Sequence, residues 1–528
     1  MRRMAKRMVA VAALVLGVSP VEAATIWVGP GEPYPFTTIQ AAIDAAAHGD
    51  VVMVADGVYT GPGNRDISFR GKRITVAGAN GAESCIIDCN GTLAQPHRGF
   101  LFDSGEGSDS VLRGLTIRNG FAPAAPYEFP WWGVVDLWAG GAVACLDAGP
   151  TIEDCRFLRN TAKDYGGAVL AIGGTRLERC VFAHNRAKYG GAIEVIAFES
   201  YGGAVVVADS RFEYNAADRE GGACRVSSSM ESPVVHTVDN STFVGNHAGR
   251  QGGAVVAYGR ATVRHCVVVG NRAPRGGGFS ADGDNYTAGP LRAEFCTFSG
   301  NRAAWGGAGA AEELGTLSLS HCILWGDEAD EGPELAASYL DYKGRLAVAF
   351  CNLQGGQAGV STPHPPSAWW GPGNMEACPC FASPGYWDAN STPDDQSDDF
   401  WVDGDYHLMS QAGRWLADEG RWTTDEVTSP CIDAGDPSRP VGSEPEPNGG
   451  RVNLGAYGGT DEASKSPPHT PWAADLNRDG TVDGADIAVI SRNWLAESIC
   501  TCIPGDVDGD GVVDFRDMAM VAADWLMQ

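Results

Sequence analysis

Two segments near the C-terminus set oxygen-bearing side chains at the spacing a hard cation requires. The first supplies Asp475, Asn477, Asp479, Asp483 and Asp486, with Gly480 at the sixth place and the carbonyl of Thr481 at the seventh. The second starts 31 residues later and supplies Asp506, Asp508, Asp510, Asp514 and Asp517, with Gly511 and the carbonyl of Val512 at the same places. Ca²⁺ takes about six to eight oxygen ligands, and glycine permits the sharp turn that makes them converge. Five carboxylates in the second loop repel one another unless a cation sits between them. The spacing predicts two calcium ions, one per loop.

Each loop runs into one helix with an apolar face, carried by Ile487, Val489, Ile490, Trp494 and Leu495 and then by Met518, Met520, Val521, Trp525 and Leu526. A proline-rich linker, 464–471, precedes them, so 472–528 reads as a separate small domain. These paired EF-hand-like loops, each with a single helix and Asp at the twelfth place, resemble a type I dockerin. The resemblance implies a cohesin-like partner, read by the residues after the ninth loop position, here Gly484-Ala485 and Phe515-Arg516.

Chemistry elsewhere is carried by scattered acids and one aromatic insertion. Lyase chemistry on a polysaccharide needs clustered carboxylates and a base, and hydrolysis needs two carboxylates across the glycosidic bond. Asp282 with Asp284, Glu312 with Glu313, Asp136 and Glu194 are the acids available, and none stands in a recognisable catalytic motif. The insertion 121–138 holds Tyr127, Trp131, Trp132 and Trp138. Such rings suit stacking on sugar faces, but folding back as a lid over the side of the helix is the favoured reading. An acidic run through Asp394, Asp395, Asp398, Asp399, Asp403 and Asp405 reads as a solvated loop.

The body that must position these groups is a repeat. Cys or Ser, then Phe two residues on, Asn three after that, and Gly-Gly-Ala return every 25 to 31 residues at Phe157/Asn160/Gly166, Phe182/Asn185/Gly190, Phe212/Asn215/Gly221, Phe243/Asn246/Gly252 and Phe298/Asn301/Gly306. Val268/Asn271/Gly276 is a variant with Val in the Phe slot. Units this short and glycine-rich bury a core only by stacking. Short β-branched runs bounded by Gly, Asn and Asp predict strands, and no helical periodicity interrupts them. The expectation is all-β, a right-handed parallel β-helix with internal Phe and Asn ladders. The Gly-Gly-Ala and Phe-x-x-Asn alternation resembles the repeats of chlamydial polymorphic outer-membrane proteins. Phe36-Thr-Thr-Ile-Gln-Ala-Ala-Ile-Asp-Ala-Ala is similar to the N-terminal cap of pectate-lyase-like proteins, and Ser429-Pro-Cys-Ile-Asp-Ala-Gly-Asp and Asn453-Leu-Gly-Ala-Tyr-Gly-Gly to closing turns of secreted bacterial β-helices. The expected layout is a β-helix over 24–463, capped at 36–60, with repeats over 115–355 and closing turns over 400–460.

The start of the chain completes the outline. Arg2, Arg3, Lys6 and Arg7, a short apolar run and Val21-Glu22-Ala23 predict a signal peptide, 1–23. That implies export to the surface or medium, with the periplasm left open, and no later segment is apolar and long enough to span a bilayer. A net charge of −28 excludes nucleic acid as a natural partner. Of the fifteen cysteines, Cys155, Cys180, Cys266, Cys296, Cys322 and Cys351 share one repeat position, where Ser210 and Ser241 substitute. That exchange predicts small inward thiols, leaving Cys85/Cys89, Cys378/Cys380 and Cys500/Cys502 as candidates for oxidation. The functional expectation is an exported, carbohydrate-directed protein that binds polysaccharide, as a lyase or glycoside hydrolase if it also cleaves. The alternative is a non-catalytic surface or adhesion protein that uses the coil as a spacer.

Overall fold

The structure, a computed structural model, describes residues 23–528 apart from 130–132, 198–202, 229–233, 284–288, 339–343, 363–367, 394, 397, 468–474, 477–480, 497–502, 508–511 and 526–528. Three long parallel sheets wind around one axis. Sheet A has 13 strands, from Thr25–Val28 to Ala368–Trp370. Sheets B and C have 11 each, from Gly57–Tyr59 to Asn352–Leu353 and from Ile67–Ser68 to Val360–Ser361. Each coil gives one strand to each sheet, so the chain is a parallel β-helix of about eleven turns.

Short strands require tight corners, and the glycine pairs make one of them. Gly166 sits at φ +59, and a Cβ there would lie 2.1 Å from the carbonyl of Val169 in its own coil. A Cβ on Gly167 would lie 2.2 Å from Gly191 O in the next coil. The first glycine is therefore demanded by the turn and the second by the stacking distance. A second corner row is left-handed too, here without glycine: Asp154, Arg179, Asp209, Asn240 and His265 all have φ near +50.

The interior is built of ladders. Phe157, Phe182, Phe212 and Phe243 stack with ring centroids 4.8, 4.7 and 4.7 Å apart. Each fully buried ring contributes roughly 1.5–3 kcal/mol through burial. Beside them, Asn160, Asn185, Asn215, Asn246, Asn271 and Asn301 are fully buried. Each amide Nδ2 donates to the next Asn Oδ1, at 3.1, 2.9, 3.0, 2.9 and 2.9 Å in turn. The same oxygen also takes the preceding Asn backbone N–H, so one side chain satisfies a corner that the strands cannot. Asp327 ends the ladder, accepting both Asn301 N and Nδ2 at 2.7 Å. The six ladder cysteines are buried free thiols, and Cys155 Sγ, for example, donates to Glu153 O at 3.2 Å. Cys85 and Cys89 are buried free thiols as well, which corrects the expectation that they oxidise. Burial pushes the Cys89 thiol well up, keeping it protonated. Cys380 is disulfide-bonded, but not to Cys378, which corrects that pairing; Cys500 and Cys502 lie outside the described residues.

The N-terminal end is sealed by α1 (Ile39–Ala45), whose Ile39, Ala42 and Ile43 are buried in the main core. Lys72 Nζ caps its last turn, donating to the carbonyls of Ile43, Asp44 and Ala46 at 2.8, 2.8 and 2.7 Å. Residues 400–460, expected as closing turns, belong to a lateral module lying along the side of the coil. Its antiparallel pairs are Phe381–Ser383 with Asp405–Leu408, Tyr386–Asp388 with Phe400–Val402, and Arg414–Leu416 with Arg421–Thr423. Phe381, Trp401, Tyr406 and Leu408 bury Val244, Val267, Val269, Ile323 and Trp325 on the outer face of sheet B. Trp401 sits against Gly270 and Gly300, where a Cβ would come within 2.2 and 2.0 Å of its ring. Part of the acidic run is structural here. Asp399 pairs with Arg302 at 2.6 Å and Asp403 with Arg211 at 2.9 Å, fastening the module to the coil. The described part of the tail contains α2 (Gly484–Arg492) and α3 (Phe515–Trp525), packed through Val482, Ile490, Val513 and Val521.

Candidate carbohydrate-binding face and calcium loops

The loops of the tail are closed by their twelfth residues. Asp486 Oδ1 accepts Leu476 N at 2.7 Å, and its Oδ2 accepts Asp483 N at 2.8 Å. Asp517 repeats this with Val507 N at 2.6 Å and Asp514 N at 2.8 Å. Both carboxylates are fully buried, and Asp475 is nearly so. Asp483 and Asp514 also cap the following helices, accepting Ala485 N and Arg516 N at 2.7 and 2.6 Å. Each loop is thus folded so that its second and twelfth positions meet. Thr481, Asp506 and Val512 also fall among the described residues, while Asn477, Asp479, Asp508 and Asp510 do not. The described donors are hard oxygens only, most of them anionic, and burying such carboxylates is costly without a cation. The residues fit Ca²⁺, which would neutralise the carboxylates and order the loops.

The coil carries a second polar concentration on the outer face of sheet C. Glu194 and Arg225 occupy equivalent outward slots of successive coils, where the other coils carry Leu170, Val256, Ser280 and Ala310. Arg225 donates to Glu194 at 2.7 Å and to Glu220 at 3.2 Å, and Glu220 also takes Arg250 at 2.8 Å. The Arg225 guanidinium lies between the rings of Tyr189 and Tyr258, 4.9 Å from each centroid. Further along, Gln251 Nε2 donates to Tyr258 Oη and to Asp282, both at 2.6 Å, and Arg275 pairs with Glu312 at 2.7 Å. Burial pushes the Glu194 carboxyl up to about 7 against the opposing pull of Arg225. Burial also raises Glu312, again opposed by an arginine, Arg275. Two buried acceptors in this strip, Glu194 Oε2 and Gln251 Oε1, have no hydrogen-bond partner among the described residues.

Of the acids singled out in the sequence, Glu194, Asp282 and Glu312 therefore share one face. Asp136 and Glu313 are exposed and stand apart, and Asp284 lies outside the described residues. The partners Glu220, Arg225, Arg250, Gln251, Tyr258 and Arg275 were not singled out in the sequence. Their signal is an arginine or glutamate in a strand slot that is apolar or small in the neighbouring coils.

The aromatic insertion forms a hairpin, Ala124–Phe129 with Gly133–Trp138, along the same sheet. Phe129 and Leu137 pack on Leu170, Ile172 and Ile196. Tyr127 lies at the edge of this cluster, its hydroxyl donating to Asp147 at 2.9 Å. Trp138 is half-buried, with Lys163 Nζ 5.4 Å from its ring. Trp131 and Trp132 lie outside the described residues. The hairpin folds back on the body and stands beside the polar strip as a wall.

A family model described as "Disaggregatase related" matches residues 378–435, most of the antiparallel part of the lateral module. No curated protein matches the chain. Among solved structures the chain is similar to the pectate lyase Pel9A, at 15% identity over 82% of this chain and 96% of that one, with a TM-score of 0.42. It is also similar to a variant of the PL6 family alginate lyase AlyGC, at 12% identity over 67% and 51%, with a TM-score of 0.40. The catalytic domain of a GH87 α-1,3-glucanase matches at 10% identity over 67% and 70%, with a TM-score of 0.33.

Proposed function

We propose that this chain is an exported, carbohydrate-directed β-helix protein that lays a polysaccharide along the outer face of sheet C. The observation that carries this reading is the strip itself: carboxylates, guanidiniums and phenols repeat coil by coil beside the hairpin, with Arg250 and Arg275 half-exposed along it. The half-exposed guanidiniums of Arg250 and Arg275 are donors a sugar hydroxyl can meet, and tyrosine rings offer apolar faces. The tail serves as a tether, organised by two calcium ions held by Asp475, Asn477, Asp479, Thr481, Asp483 and Asp486 and by Asp506, Asp508, Asp510, Val512, Asp514 and Asp517. Its dockerin-like form points to a cohesin-like partner.

If the face also cleaves, Glu194 is the candidate acid: burial raises its carboxyl to about 7, and its side chain, fully buried against Arg225, has to be uncovered before a substrate reaches it. A non-catalytic spacer is the second reading, favoured by the close mutual pairing of most charges in the strip. The full-length protein is incubated with pectins, alginates, sulfated glycans and hemicelluloses, with calcium and with chelator. Retention of at least one polymer is expected, unaffected by chelator, while chelation lowers the helical signal and exposes Trp494, half-buried in the folded tail. Product release that Glu194→Gln abolishes would establish cleavage, and retention without product the binding role. Failure to retain any polymer would overturn the carbohydrate reading, and a tail indifferent to chelator would overturn the calcium one.

A further inference from the structure

A separate pocket of about 440 Å³ opens on the outer face of sheet B, lined by Arg118, Asn119, Leu158, Arg159 and His184. It belongs to a corner row that precedes the Asn ladder and is left-handed throughout: Asn119, Arg159, His184 and Tyr214, then Gly245, Gly270, Gly300 and Gly326. The row has two halves. Gly270 and Gly300 are glycines because Trp401 of the lateral module rests on them. Tyr214 marks the boundary, its hydroxyl donating to Trp401 O at 2.9 Å. Beyond that boundary the row keeps side chains and borders the pocket. Arg159 and His184 both hold φ at +55, a conformation glycine adopts without strain, yet neither is glycine.

The electrostatics of the pocket oppose those of the molecule. The chain carries −28, whereas this wall presents two arginines and a histidine. Arg118 is neutralised by Asp88 at 2.9 Å, and Asn119 donates to the same carboxylate at 3.0 Å. Arg156 on the adjacent strand pairs with Glu83 at 3.2 Å. The exposed Arg159 guanidinium has no ion pair or hydrogen bond among the described residues. An unpaired guanidinium beside an amide, an imidazole and the apolar surface of Leu158 matches an acidic sugar: charge on one edge, hydroxyls around it, an apolar ring face below.

We propose that this pocket binds an anionic substituent of a glycan chain, a carboxylate or a sulfate ester, with Arg159 as its principal contact. The inference rests on the polysaccharide reading above and adds the charge class and a second contact site, on a different sheet from the strip. The test uses the full-length protein in affinity electrophoresis with paired polymers: polygalacturonate against its fully methyl-esterified form, and dextran sulfate against dextran. The two pairs separate carboxylate from sulfate. Arg159→Gly relieves the left-handed backbone, so its thermal midpoint should equal or exceed that of the parent. Its affinity for the anionic polymer should fall at least about tenfold, the loss of one charge-assisted hydrogen bond, and its salt dependence should flatten. Unchanged anionic affinity in Arg159→Gly overturns the pocket assignment. Retention of neutral polymers alone also overturns it, while leaving the polysaccharide reading standing. Retention of no polymer of any kind removes both.

Discussion

The interruption of the Phe ladder at Val268 offers a sharp test of how the coil is packed. Val268 pairs in register with Phe243 on one side and Phe298 on the other, and is fully buried. A smaller residue there should leave a void, yet the same coil carries Phe279 in sheet C, where the preceding coil has Val255 and the next has Gly309. The Phe279 ring meets Phe298 edge-on, with centroids 4.9 Å apart, so it fills the room Val268 leaves. Volume is thus conserved within the coil by exchanging Val and Phe between two sheets. Phe279→Val alone should cost about 2–4 kcal/mol by opening a cavity. Val268→Phe alone should cost about 1–3 kcal/mol by overpacking against Phe279. The double variant restores the arrangement of neighbouring coils and should lose less than about 1.5 kcal/mol. Equilibrium urea unfolding of the four proteins, followed by far-UV circular dichroism, measures the coupling, expected to be at least about 1.5 kcal/mol in favour of the pair. Single effects that add to within about 0.5 kcal/mol would refute the compensation.

Two other perturbations address the buried polar ladder. Asn215→Ala removes the bonds to Asn246 Oδ1 and Phe182 O, orphans the backbone N–H of Asn185 and leaves its amide only Phe157 O as acceptor. It should cost about 3–5 kcal/mol in the same unfolding assay, and a loss under about 1 kcal/mol would show that the ladder is decorative. At the ladder's end, burial raises Asp327 from 3.8 to about 6, and burial beside Asp327 holds Glu334 well above 4.5. Both carboxyls bind protons more tightly in the folded chain, so their contribution is intact below about pH 4 and is lost as pH rises through about 6 and beyond. Glu334→Gln should flatten the dependence of the urea midpoint on pH between about 4.5 and 7, and an unaltered slope would exclude the pair as its source.

What could be seen in the sequence follows from how local each cause is. Phe157, Asn160 and Gly166 recur because every coil imposes the same steric demand at the same place, so spacing alone exposes the ladders and the glycine corner. The left-handed corners at Asp154, Arg179 and His265 show no such mark, since geometry sets their conformation and many side chains tolerate it at modest cost. The strip on sheet C was visible only as isolated acids. Glu194 is meaningful through Arg225, one coil away, and through Tyr189 and Tyr258 on either side of that arginine.

The lateral module was the least legible part, because its contacts span long separations: Trp401 rests on Gly270 and Gly300, and Asp403 reaches Arg211. A trace was nevertheless present. The residue before each ladder Asn is Arg159, His184 and Tyr214 in the earlier coils and Gly245, Gly270 and Gly300 in the later ones. At Gly270 and Gly300 the steric reason is the covering indole, so loss of side chains along an otherwise exact repeat marks where another part of the chain lies down. The converse applies to the uncovered coils. Where nothing lies on the row, Arg159 and His184 persist in a backbone conformation that favours glycine, and no packing partner from the module accounts for Arg159. The unpaired Arg159, beside a pocket of opposite charge to the molecule, is where the proposed external ligand takes the place that Trp401 occupies further along.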